Sequence, residues 1–98
     1  MTIDKQAQGE LLTVTLTGRL DTMTAPELEE ALKGSLDGVK KLTLDFSGLE
    51  YLSSAGLRVL LAAQKRMNQQ GEMVVQNVCP DIMEIFDMTG FSDILTIQ

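Results

Sequence analysis

The sequence predicts an α/β fold: a mixed sheet of four to five strands with helices packed mainly on one face. Three observations predict it. Apolar and polar residues alternate over 12–17 and again over 41–46. Apolar residues recur at helical spacing over 28–36, 57–67 and 82–86. The two kinds of segment follow one another along the chain. A strand reached through a helical crossover pairs parallel to the strand before it.

The elements follow in order. Residues 2–8 form a weak strand candidate, and Gly9-Glu10 supplies the hairpin turn to the next strand. That hairpin makes the sheet mixed. Leu12, Val14 and Leu16 alternate with Thr13, Thr15 and Thr17, a period of two rich in β-branched residues, and Gly18 closes the strand. Thr24-Ala25-Pro26-Glu27 reads as a capping box, in which Thr24 accepts from the Glu27 N–H and Glu27 reaches back. Pro26 sits in the first turn, where its missing N–H costs little. Leu28, Ala31 and Leu32 make the apolar stripe of a helix ending near Leu36. Over Lys41–Phe46, Leu42, Leu44 and Phe46 share one face, and Thr43 and Asp45 the other. Ser53 or Ser54 caps a second helix running to about Gln69. Leu57, Leu60, Leu61 and Met67 are its expected buried side, while Arg58, Lys65, Asn68 and Gln69 face water. Gly71 is the expected stop. Met73–Val78 is a further strand. Pro80–Met88 is a third helix with Ile82, Ile85 and Phe86 turned inward. Gly90, followed by Phe91, fits a left-handed ending. Ile94–Ile97 is a candidate last strand. Met73, Met83 and Met88 are expected in the core.

Composition narrows the function classes. A length of 98 residues suits one domain, 1–98. With 44% hydrophobic and 22% charged residues the chain reads as globular rather than disordered. Net charge is −6, and no Lys or Arg run is present. Nucleic acid and anionic lipid both require a basic surface, so neither is an expected partner. The start, Met1-Thr2-Ile3-Asp4-Lys5, lacks the pattern of a secretory leader. No stretch approaches the roughly eighteen apolar residues of a membrane span. A cytoplasmic protein without membrane insertion is expected. The lone Cys79 excludes an internal disulfide and a cysteine metal cluster. Histidine is absent, which removes the commonest general base and transition-metal ligand. No enzymatic activity, cofactor or metal is expected.

Three motifs carry a resemblance. Asp45-Phe46-Ser47-Gly48-Leu49-Glu50-Tyr51-Leu52-Ser53-Ser54-Ala55-Gly56-Leu57 resembles the signature of the STAS family. Gly18-Arg19-Leu20-Asp21, with Thr24 beyond it, resembles that family's Gly-x-Leu/Ile-Asp turn. Ile85-Phe86-Asp87-Met88-Thr89-Gly90-Phe91 resembles its third helix and end. Together they cover nearly the whole chain. At this size the resemblance implies an anti-sigma factor antagonist. Such a protein binds an anti-sigma factor serine kinase and thereby frees a sigma factor. The kinase phosphorylates a serine on the antagonist and ends the interaction, and a metal-dependent phosphatase reverses it. A monomer in the free state is expected.

The resemblance also places the site. The family pattern Asp-Ser-Ser/Thr-Gly, aligned on Gly56, makes Ser54 the phosphorylated residue. Ser53 stands where the Asp usually is and becomes a rival acceptor, and Ala55 stands where the second hydroxyl residue is. Asp21 and Thr22 are implied partner contacts, together with Ser53, Ser54, Gly56 and Arg58 at the helix start. Each has a plainer role beside it. Ser54 can be only a cap, Asp21 can bond a turn's backbone, and Gly56 can permit close packing. Cys79 can be a small residue at a helix start. The competing reading is an adaptor STAS domain of another assembly, a lipid-transport complex or a stress-signalling scaffold, with no phosphorylation switch.

Overall fold

The computed structural model describes residues 1–98. Its strands are β1 (Thr2–Gln8), β2 (Leu11–Leu20), β3 (Lys41–Leu52) and β4 (Glu72–Gln76). Its helices are α1 (Ala25–Lys33), α2 (Ser54–Gln70) and α3 (Pro80–Thr89), with a short 3₁₀ turn at Phe91–Asp93. The sheet order is β1-β2-β3-β4. β1 pairs antiparallel with β2 around Gly9-Glu10, while β2–β3 and β3–β4 are parallel, across α1 and α2.

The alternation seen in the sequence sets which face is covered. Leu12, Val14 and Leu16 on β2 and Leu42, Leu44 and Phe46 on β3 are buried. They join one apolar cluster with Leu28 and Leu32 of α1, Leu57, Leu60 and Met67 of α2, and Ile82 and Phe86 of α3. All three helices therefore cover that face, and Phe86 meets Phe46 at 6.3 Å between ring centroids. The threonines between these residues stay half-exposed on the opposite face.

Several expectations need correction. Gly18 does not close β2; the strand runs to Leu20 through register shifts near Thr15–Thr17 and Gly18–Arg19. β3 continues beyond Phe46 to Leu52, because extra residues at those shifts let it stay paired with β2. α1 stops at Lys33, and buried Leu36 lies in the following loop. Leu61 and Ile85 are only half-buried, whereas Val59, Ala63 and Gln64 of α2 are buried. Met73 is in the core as expected, but Met88 is 79% exposed. Gly71 does stop α2, yet its backbone is extended. It is needed for space: a Cβ there would run into the Lys40 carbonyl oxygen. The candidate last strand reduces to one bridge, Ile97 beside Val75. There the Val75 N–H donates to the Thr96 carbonyl and the Gln98 N–H to the Val75 carbonyl. Gly90 does take the left-handed form, φ +82°.

Candidate functional site

The parallel strands β2 and β3 end side by side, with Leu20 opposite Leu52. A helix start follows each. The Ser53 N–H donates to the Leu20 carbonyl at 2.9 Å, which ties the two starts together. Gly56 in the first turn of α2 sits against both strand ends. A Cβ on it would meet Leu52 Cδ1 at 2.7 Å and Leu20 Cγ at 2.8 Å. Close approach of helix to strands is its role in the fold.

The start of α1 is internally satisfied. Asp21 Oδ1 accepts from the backbone N–H groups of Met23 at 3.0 Å and Thr24 at 3.1 Å. Thr24 Oγ1 accepts from the Asp21 N–H and donates to the Arg19 carbonyl, both at 2.8 Å. This is a reciprocal box between Asp21 and Thr24, one turn upstream of the expected Thr24–Glu27 pair. Thr24 makes no side-chain cap because its backbone is already helical, φ −99° and ψ −19°. The hydroxyl then points back along the chain. Arg19 Nε lies 3.8 Å from Asp21 Oδ2, and its guanidinium stacks 4.2 Å above the Tyr51 ring. The Thr24 backbone N–H, helped by that of Met23, the Thr24 hydroxyl and Arg19, holds the Asp21 carboxyl below its ordinary range; partial burial works against them.

The start of α2 is open. Ser53 is its cap: the backbone is extended, and Oγ accepts from the Gly56 N–H at 3.3 Å. Ser54 is the first helical residue and is exposed. Its hydroxyl has no hydrogen-bond partner in the protein. No acidic residue lies in this first turn. Beyond it, Arg58 and Thr22 line a groove of 350 Å³ between α1 and α2, with Ala25, Glu29 and Ala55.

The six candidate residues thus lie at one end of the sheet: Asp21 and Thr22 in one loop, Ser53, Ser54, Gly56 and Arg58 along one helix start. Sequence reasoning did not single out Arg19, Tyr51 or Met23. Met23 is 84% exposed at the loop tip beside Asp21. The Arg19–Tyr51 pairing depends on the extra residues that β3 carries at its two register shifts against β2, which no spacing rule reveals. Elsewhere Asp45 accepts from the Asn77 side chain at 3.0 Å and the Ser47 N–H at 2.9 Å, and these bonds lower its pKa. Nowhere do three or more cysteine or acidic side chains converge as metal ligands would. Cys79 is half-buried and free. No helix is long and apolar enough to cross a membrane.

Known proteins are similar to this chain in sequence and fold. A candidate anti-sigma factor antagonist of Bordetella bronchiseptica, BtrV, is 37% identical over 89% of this chain and 77% of its own length. An anti-sigma-B factor antagonist of Staphylococcus aureus is 29% identical over 100% of this chain and 93% of its own. The structure of the Bacillus cell fate determinant SpoIIAA in its phosphorylated form superposes with a TM-score of 0.77 at 16% identity, covering 99% of this chain and 91% of that one. At that identity the likeness speaks for the fold alone. The model of the STAS domain matches residues 2–98, and the chain belongs to the STAS domain family.

Proposed function

We propose that this chain is an anti-sigma factor antagonist that binds an anti-sigma factor serine kinase and is released when Ser54 is phosphorylated. One observation carries the choice of residue. The Ser54 hydroxyl is exposed and unbonded, whereas the rival Ser53 spends its oxygen on the cap. A serine can serve as helix cap or as phosphate acceptor, and here the two tasks fall to neighbouring residues. The names of the Bordetella and Staphylococcus relatives support the antagonist role.

The chemistry asks little of this protein. The γ-phosphoryl group of ATP passes to Ser54 Oγ, ADP leaves, and the hydroxyl proton goes to a base on the kinase. A metal-dependent phosphatase adds water across the phosphoester, releasing inorganic phosphate and restoring the serine. The phosphate adds roughly −1.5 to −2 charges at neutral pH. A partner surface fitted to a bare hydroxyl then meets a desolvated, unpaired charge. A 100-fold loss of affinity corresponds to only about 2.8 kcal/mol, within the range such a charge can exact. Asp21, Thr22 and Arg58 frame the contact, while the buried Gly56 sets the helix start against the strand ends.

The test is incubation with a purified serine kinase and ATP, followed by mass spectrometry and titration calorimetry. One added phosphate is expected on the parent chain and on Ser53→Ala, and none on Ser54→Ala, which keeps binding. A phosphate that survives Ser54→Ala and vanishes in Ser53→Ala moves the acceptor by one residue. A stable complex with no phosphate on either serine points to the adaptor role instead.

A further inference from the structure

We propose that Arg58 is the residue that holds a phosphate on Ser54, and that in doing so it leaves the groove between α1 and α2. The inference rests on Ser54 as the acceptor and supplies the group that answers the new charge. The chain has three arginines. Arg19 is near Asp21, and Arg66 is bonded to Asp37 at 2.6 Å. Arg58 is exposed and forms no ion pair or hydrogen bond. Glu29 lines the same groove and still does not pair with it. So the one arginine without an acid stands a single helical turn beyond Ser54.

Helix geometry brings the two residues together. Side chains four apart lie on one face, with Cβ atoms about 5–6 Å apart. The favourable order places the anion nearer the helix start, as here. Arginine matches phosphate with a planar fork of donors. The nearest rival acid is Glu29, which lines the same groove and makes no ion pair with Arg58. Ser53 is uncharged, and the Asp21 carboxylate is engaged by Thr24, Met23 and Arg19.

The movement has a second effect. Glu29 and Arg58 are the charged side chains of the 350 Å³ groove. With Arg58 drawn to the phosphate, Glu29 remains alone. Phosphorylation then adds negative charge at Ser54 and removes positive charge from the groove beside it. A partner that reads both places loses two complementary contacts through one modification.

The experiment needs no kinase. Phosphoserine is inserted at position 54 during translation, and the phosphate is titrated by phosphorus NMR at low salt. Its second pKa, about 6 in an unfolded peptide, is expected to fall in the folded chain. Arg58→Gln is expected to raise it by about half a unit, a threefold change in the ionisation constant. Arg58→Lys should recover part of the shift. Melting curves of the unphosphorylated variants should match the parent, since Arg58 bonds to nothing. If Arg58→Gln titrates like the parent, the helix terminus alone carries the phosphate and the proposal fails. Failure of Ser54 as a kinase substrate would show instead in the mass-spectrometric assay and would leave this titration unchanged.

Discussion

The two helix starts at the end of the sheet are neighbours built on opposite principles. At α1 the capping groups are paired: Asp21 and Thr24 cap one another, and Arg19 bridges to Tyr51. At α2 a single long bond from Gly56 to Ser53 serves as the cap, and the next hydroxyl is bare. Satisfied polar groups resist change, because each lost bond strands a donor or an acceptor. A group with no partner can be modified without disturbing anything else. A start with its capping bonds made thus stands beside one with a bare hydroxyl.

The largest expected effect comes from the residue that serves both starts. Gly56→Val forces a branched side chain against Leu20 and Leu52, where even a bare Cβ lies within 2.8 Å of both. Overpacking of this kind costs about 3 kcal/mol, or more than about 10 °C in melting temperature for a chain of this size. An unchanged melt would show that the strand ends yield easily and that the two starts are not mechanically joined.

Changes at Asp21 then separate frame from contact. Asp21→Ala removes the acceptor of two backbone N–H groups and should lower the melting temperature. Asp21→Asn caps nearly as well and should melt close to the parent. If Asp21→Asn melts normally but binds the kinase more weakly in calorimetry, the partner reads the charge. Unchanged affinity would leave Asp21 a structural residue only.

The serines give a smaller and opposite pair. Ser53→Ala should cost about 1 kcal/mol by denaturant melting, because it deletes the cap. Ser54→Ala should stay within about 0.5 kcal/mol of the parent, as an exposed change outside any network. Equal losses at both positions would erase the distinction between cap and acceptor.

The mildest effect concerns acid. Asp21 has a folded pKa below its ordinary value, so its stabilisation is complete above the unfolded pKa of about 3.9. It fades as pH falls through the lower, folded value. Asp45, held by Asn77 and Ser47, contributes in the same window and with the same sign. Asp21→Asn and Asn77→Ala should each flatten the acid limb of a stability–pH curve. Ser53→Ala and Ser54→Ala should leave its shape alone.

Most of the architecture was legible because periodicity reports burial directly. Leu12, Val14 and Leu16 could face only one way, and so could Leu42, Leu44 and Phe46. The misses arise where tertiary pairing decides. Nothing local in 47–52 marks it as strand; β3 stays paired with β2 only by taking up extra residues at two register shifts. Thr24 fits two capping patterns, one with Glu27 and one with Asp21, and its backbone angles select the second. For the site, the sequence left Ser53 and Ser54 as alternative caps, since either type serves. Only the extended backbone at Ser53 assigns the task.

The two sheet edges remain unlike, and this bears on solubility. β1 forms one edge and carries Asp4 and Lys5, charges that discourage a strand from another molecule. β4 forms the other, with Met73, Val74 and Val75 buried and no charge among them. What covers that edge is the stretch around Ile97, through the two backbone bonds at Val75. Removing residues 94–98 would bare an apolar template for strand addition, and such a truncated chain is expected to aggregate as its concentration rises. A segment too short to be a strand of its own thus acts as the sheet's guard against self-association.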